Sequence, residues 1–165
     1  GHGRAGADSH EHLPVVDVSR DTLEKQDFIP FRHLADMPLA MTAHVVYAAI
    51  DSHAPATTSK TIIRDVIRGH IGFKGLLMSD DLSMKALSGT FGERTRSSLK
   101  AGCDVVLHCN GDMAEMKSIA KETPKLAGKA KRRADAALQR IAHTPEPLDA
   151  ADARAQLDAA LAALT

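Results

Sequence analysis

Two adjacent carboxylates, Asp80 and Asp81, stand where the apolar run Leu76-Leu77-Met78 stops, with only Ser79 between. An apolar run without polar alternation is the pattern of a strand buried on both faces, and the groups that follow it emerge at the strand's C-terminal end. Neighbouring carboxylates at such an exit repel and lose hydration, a setting for a nucleophile, a general base or a cation ligand. A plainer reading is that Asp80, Asp81 or Ser83 caps a following helix. That accounts for one acid and leaves the other.

A second set lies near the start. Asp8, His10, Glu11 and His12 alternate through a stretch from Gly1 to Pro14 that is rich in glycine and histidine and has no apolar anchor before Leu13. Little buried area opposes its conformational entropy, so the composition predicts a mobile loop. Asp8, His10 and His12, with His2 close by, also permit a site for Zn²⁺ or Mn²⁺, and hence a metal-assisted hydrolase, although the spacing matches no helical His-Glu-x-x-His pattern. His44, in Met41-Thr42-Ala43-His44-Val45, sits near the exit of another apolar run, where it would either line a pocket or form hydrogen bonds within the core.

The elements that must position these groups alternate between strand and helix. Leu39 to Val46, Gly75 to Met78 and Asp104 to Cys109 read as buried strands. Short helices after Ser19 and at Pro30 precede the first. A helix capped by Ser59 and carrying Ile62, Ile63, Val66 and Ile67 links the first strand to the second. A short helical turn from Leu82 to Leu87 and a helix from Glu93 to Ala101, ended by Gly102, link the second to the third. A helix over Met113, Met116 and Ile119 and an amphipathic helix from Ala127 to Ile141 follow. This alternation demands parallel pairing with right-handed crossovers. It fits the last units of a (β/α)₈ barrel, which needs about 250 residues in all, or a small doubly wound sheet. Residues 1–143 would hold these units, and residues 144–165 read as a linker at Pro145 and Pro147 followed by an Ala-rich helix whose Leu157, Leu161 and Leu164 predict packing on the body.

Composition narrows the classes. The 165 residues carry 21 Lys and Arg against 21 Asp and Glu, spread along the chain, so no electrostatic footprint points to nucleic acid or an anionic membrane. The Lys125 to Arg133 cluster reads as a solvated helix face. No apolar run approaches the roughly 20 residues of a membrane span. Cys103 and Cys109 match no zinc or redox spacing and read as buried thiols in a reducing compartment.

Gly72-Phe73-Lys74-Gly75-Leu76-Leu77-Met78-Ser79-Asp80-Asp81-Leu82-Ser83-Met84 resembles the nucleophile segment of glycoside hydrolase family 3, in its bacterial β-N-acetylglucosaminidase branch. The Asp that follows Ser is the nucleophile there, which implies Asp80. Gly1-His2-Gly3 followed by Asp8-Ser9-His10 is similar to the end of that branch's Lys-His-Phe-Pro-Gly-His-Gly…Asp-Ser-His signature. The resemblance implies His10 as general acid/base, Asp8 as its orienting partner and His44 as a residue lining the sugar pocket. It runs from Gly1 to about Gly111. Because the Lys-His-Phe-Pro part is absent, the chain is expected to be the C-terminal part of a longer barrel polypeptide.

The activity so implied is retaining removal of terminal N-acetylglucosamine from peptidoglycan fragments, the anhydro-muropeptides, through a glycosyl-Asp intermediate. It would be cytoplasmic and need no metal or cofactor. Retention takes one group to attack the anomeric carbon and one to give and then take the leaving-group proton. A carboxylate serves the first role. A histidine serves the second only if a carboxylate fixes its tautomer and raises its basicity, which Asp8 can do across one residue. The sugar-binding Asp, Arg and Lys-His residues of the branch are not in this sequence, so a noncatalytic glycan-binding or assembly piece stands as a further alternative.

Overall fold

The computed structural model describes residues 3–163. Gly1 and His2 of the loop motif, and Leu164 of the tail stripe, lie outside the described residues.

Among the described residues five strands pair in parallel. β1 (Val15–Val16) lies against β3 (Val46–Tyr47), while β2 (Leu39–Met41), β4 (Leu76–Asp81) and β5 (Val105–Leu107) form a second sheet in the order β2, β4, β5. The expected strand from Leu39 to Val46 is therefore two short ones. The chain pairs first with β4, leaves the ladder over residues 42–45, and then pairs with β1. Thr42 and His44 in that gap turn polar side chains inward, and both are buried. β1 is a strand that two valines alone did not announce. β1 pairs with β3 and β2 with β4, each pair skipping one strand, and only β4 and β5 are consecutive in sequence.

Between strands, local chemistry sets the helices. Ser19 accepts a hydrogen bond from the Thr22 N–H and opens α1 (Arg20–Thr22), and Pro30 lies in the first turn of α2 (Ile29–His33). Ser59 accepts from the Ile62 N–H, as expected, at the start of a wide helical segment, Ile62–His70. Its turns close five residues back at the end, Ile71 N–H to the Val66 carbonyl. This segment buries Ile62 and Val66 in one cluster with Val16, Leu23, Phe28 and Val45, and Ile63 in another with Phe73, Leu77 and Cys103.

α3 (Phe91–Ala101) opens on a reciprocal Thr90/Glu93 capping box and ends at Gly102, whose φ of 123° suits only glycine. α4 (Met113–Glu122) is capped by Asp112. α5 (Gly128–Gln139) and α6 (Ala150–Ala162) complete the chain.

Three expectations need correction. Leu82 to Leu87 is a series of turns, not a helix, closed by Met84 N–H to the Asp81 carbonyl and Leu87 N–H to the Met84 carbonyl. On α6, Leu157 and Leu161 are 50% and 54% exposed, so the leucine stripe does not pack on the body. Arg133 departs from the solvated face of α5 to pair with the buried carboxylate of Asp104 at 2.7 Å, which Arg68 also grips at 2.8 Å. Among the described residues no helix is long and apolar enough to cross a membrane.

Candidate active site

The site is assembled at the C-terminal end of β4. Met78 pairs with Val105 but Asp81 pairs with Leu107, so three residues of β4 oppose two of β5. The extra residue makes a bulge, a device that re-aims side chains at strand exits. Ser79 fills the gap it leaves, its Oγ accepting the Leu107 N–H at 3.0 Å. The bulge lets Asp80 and Asp81 take different surroundings although they are neighbours.

Asp81 is committed to the framework. Its carboxylate accepts the Ser83 N–H at 3.0 Å, the Cys109 N–H at 3.1 Å and the Ser83 hydroxyl. Burial alone would raise its pKa, but these bonds outweigh it and hold the carboxyl below the usual range. They tie the exit of β4 to the exit of β5. The Asp80 carboxylate, in contrast, accepts the N–H of Asp81, at 2.8 Å, and takes no part in tying the strand exits together. The helix-cap reading of the pair holds for neither acid: Asp81 caps the turn at Ser83, and no helix starts there.

The residues from Asp8 to His12 reach the same end. His10 Nδ1 lies 2.7 Å from Asp8 Oδ1, and the His10 N–H donates to that oxygen at 2.9 Å. A carboxylate can only accept, so Nδ1 carries the proton and Nε2 is the nitrogen left for chemistry. The His10 and Asp8 side chains are 69% and 65% exposed. The hydrogen bond that Asp8 accepts and the charge of its carboxylate raise the histidine's pKa, and the carboxylates of Asp80 and Asp81 add to the effect. The acid/base candidate and the nucleophile candidate are thus within electrostatic reach of each other.

The loop is not free, contrary to the expectation from its composition. Ser9 is fully buried, its carbonyl accepts the Ala86 N–H at 3.3 Å, and the His10 carbonyl accepts the Lys85 N–H at 3.2 Å. Glu11 pairs with Lys85 at 2.6 Å. The turns that follow the two acids therefore hold the segment carrying His10. Arg94 secures those turns in its own right, donating to the carbonyls of Leu82, Met84 and Gly89.

His44 is fully buried, with Nε2 2.9 Å from the Asp81 carbonyl and Nδ1 2.8 Å from Thr57 Oγ1. Of the two readings open for His44, these contacts are those of a histidine hydrogen-bonded within the core. Cys103 is buried, with its thiol pushed up to about 12 by burial, whereas Cys109 is exposed, unlike the buried thiol expected. Among the described residues no three His, Cys, Asp or Glu side chains gather as metal ligands would, and His12 does not join Asp8 and His10 in such a group.

Residues 1–144 match the model of the glycosyl hydrolase family 3 N-terminal domain. The chain belongs to glycosyl hydrolase family 3. The match reaches past the fading point near Gly111 expected from the motifs, through α4 and α5. A β-hexosaminidase of Alkalilimnicola ehrlichii is 47% identical over 114 residues, which are 67% of this chain and 32% of that protein. Among solved structures, a family 3 β-N-acetylglucosaminidase from Paenibacillus sp. str. FPU-7 superposes with a TM-score of 0.77 at 28% identity, covering 91% of this chain and 32% of that one. NagZ from Neisseria gonorrhoeae, in complex with N-trifluoroacetyl-D-glucosamine, gives 0.70 at 36% identity over 87% of this chain and 45% of that one. The chain spans about a third of the length of the curated family 3 relatives it matches.

Sequence reasoning missed the residues that hold the site: Thr42, Thr57, Ser79, Ser83 and Arg94. Two signals were available. Thr42 and His44 break an otherwise apolar run, and Ser79 and Ser83 bracket the acids at the two places where ladder or turn N–H groups need acceptors or a side chain must close a turn.

Proposed function

We propose that this chain carries the nucleophile and the acid/base of a retaining β-N-acetylglucosaminidase that removes terminal N-acetylglucosamine from peptidoglycan fragments in the cytoplasm. The chain would form the C-terminal part of a (β/α)₈ barrel, a reading that the all-parallel pairing of its strands supports. The observation that carries the functional reading is the division of labour at one strand end. Asp81 is bound into the framework, Asp80 is available, and a carboxylate-oriented His10 reaches the same place.

In the first step the Asp80 carboxylate oxygen attacks the anomeric carbon while the bond to the leaving oxygen breaks and Nε2–H of His10 protonates that oxygen. In the second, water attacks the anomeric carbon, Nε2 takes its proton, and the ester bond to Asp80 breaks. Asp8 keeps Nδ1 protonated throughout and stabilises the imidazolium. The β-hexosaminidase relatives and the N-trifluoroacetyl-D-glucosamine bound to the gonococcal protein support an N-acetylhexosamine substrate.

The test is made on the full-length protein. His10→Ala should slow hydrolysis of N-acetylglucosaminides with poor leaving groups strongly, while an activated aryl glycoside, needing little protonation, keeps most of its first-step rate. Activity should survive chelator. Chelator-sensitive activity restored by Zn²⁺ or Mn²⁺ would favour the metal hydrolase instead, and absence of turnover in the full-length protein would favour a binding piece.

A further inference from the structure

Four hydrogen bonds inside the site form a chain whose direction is fixed at both ends. The Asp80 N–H lies 3.3 Å from Thr42 Oγ1, Thr42 Oγ1 lies 2.8 Å from Thr57 Oγ1, Thr57 Oγ1 lies 2.8 Å from His44 Nδ1, and His44 Nε2 lies 2.9 Å from the Asp81 carbonyl. A backbone N–H can only donate and a backbone carbonyl can only accept. His44 Nε2 must therefore carry a proton, which leaves Nδ1 of a neutral ring as an acceptor. Thr57 donates to it, Thr42 donates to Thr57, and the Asp80 N–H donates to Thr42. Each hydroxyl donates once and accepts once, so every polar hydrogen in the chain has a partner. Thr42, Thr57 and His44 are all buried.

The two ends of this chain are the N–H of Asp80 and the C=O of Asp81, so it spans the bulged dipeptide that bears both acids. We infer that Thr42, Thr57 and His44 are positioning residues, a one-way hydrogen-bonded brace that fixes the backbone of Asp80 and Asp81 and so aims the Asp80 carboxylate. The inference rests on the reading of Asp80 as nucleophile. It also explains why the strand from Leu39 breaks at residues 42–45: leaving the ladder lets the Thr42 and His44 side chains reach β4.

The charge state of His44 agrees with this direction. Burial lowers its pKa, and the guanidinium of Arg94 acts in the same sense, against the Asp81 carbonyl and the carboxylates of Asp80 and Asp81. The Cys103 thiol, which stays protonated, donates to the Thr57 carbonyl at 3.7 Å and adds no charge. A cationic His44 would donate from Nδ1, reverse both hydroxyls and leave the Thr42 proton without its Thr57 acceptor. Protonation is thus opposed by the network as well as by burial.

The experiment compares Thr57→Val, which keeps the shape and removes the hydroxyl, with Thr57→Ser, which keeps the hydroxyl, in the full-length protein. Val66→Ala, a core truncation away from the brace, is the control for general loss of stability. In the parent, ¹⁵N NMR of the His44 ring should show the neutral Nε2–H form at pH 7. Thr57→Val should speed hydrogen exchange of the Asp80 amide and lower kcat roughly 10-fold with KM little changed, the scale expected when a reacting group is slightly misplaced. Thr57→Ser should restore both, and Val66→Ala should show neither despite a comparable fall in Tm. A His44 ring that is cationic or Nδ1-protonated at pH 7 would overturn the inference. So would Thr57→Val with the Asp80 exchange and kcat of the parent, or a kcat loss that Val66→Ala reproduces at equal Tm. If the parent itself hydrolyses no N-acetylglucosaminide, the functional reading fails, and the ring tautomer with Asp80 exchange still decides the brace.

Discussion

Replacing Asp81 by alanine should unfold the protein more easily without erasing its chemistry, and the structure sets the size of the effect. The carboxylate holds two main-chain N–H groups, those of Ser83 and Cys109, and the Ser83 hydroxyl. Hydrogen bonds to a charged group contribute about 1.5–3 kcal/mol each when shielded. Asp81 is only partly buried and Cys109 is exposed, so water would take over some of these partners. Screening brings each bond to about 1 kcal/mol, below the shielded range, and the three together to about 2–4 kcal/mol. For a chain of this size each kcal/mol lowers Tm by about 2–4 °C, which predicts a fall of roughly 10 °C. The loss should also depend on pH. The folded pKa of Asp81 is depressed, so its contribution is fully present above the ordinary carboxylate value near 4 and disappears as pH falls through the folded value. Calorimetry of the full-length protein and its Asp81→Ala variant between about pH 3 and 7 measures both. Asp80→Ala, removing a side chain that accepts one neighbouring N–H, should shift Tm by a couple of degrees at most and abolish turnover. An unchanged Tm in Asp81→Ala, or a larger Tm loss in Asp80→Ala, would refute the division of roles.

Two other outcomes follow from the loop. Asp8 raises the pKa of His10, so the protonated imidazole persists to higher pH than an ordinary histidine and is lost as pH rises through the raised value. Asp8→Asn should therefore move the basic limb of the kcat/KM profile to lower pH, and an unmoved limb would separate Asp8 from the acid. Lys85→Met removes the ion pair with Glu11 but neither main-chain bond to Ser9 or His10. Hydrogen exchange at the Lys85 and Ala86 amides should stay slow, and fast exchange at both would show that the exposed ion pair, not buried Ser9, holds the loop.

What could be read from the sequence divides along the range of the forces involved. Ser19, Pro30, Ser59 and Gly102 act within a turn, and each does in the structure what its type predicts. The apolar runs located β4 and β5, although only β4 carries fully buried residues and β5, expected as a buried strand, is half-buried along its length. The split of β2 from β3 was hidden, since what ends the ladder is a set of bonds from Thr42 and His44 to residues 13 to 38 positions away. The docking of the glycine-rich loop was hidden for the same reason: Ser9 is buried by turns more than seventy residues downstream, and its own composition speaks only of entropy. Asp80, Asp8 and His10 were named through the family resemblance, and the hydrogen bonds of Asp81 and His44 became visible only with their partners in place. On α6 the periodic leucines misled, because periodicity marks an apolar face and says nothing of whether a surface lies opposite it.

The most direct measurement of the central claim is to trap the intermediate. The full-length protein should be treated with a 2-acetamido-5-fluoro glycosyl donor of the gluco series, digested, and sequenced by mass spectrometry. The account predicts one glycosyl adduct, on the peptide spanning Leu76 to Met84 and carried by Asp80. An adduct on Asp81 or on any other residue, or steady turnover of N-acetylglucosaminides by Asp80→Ala, would contradict it.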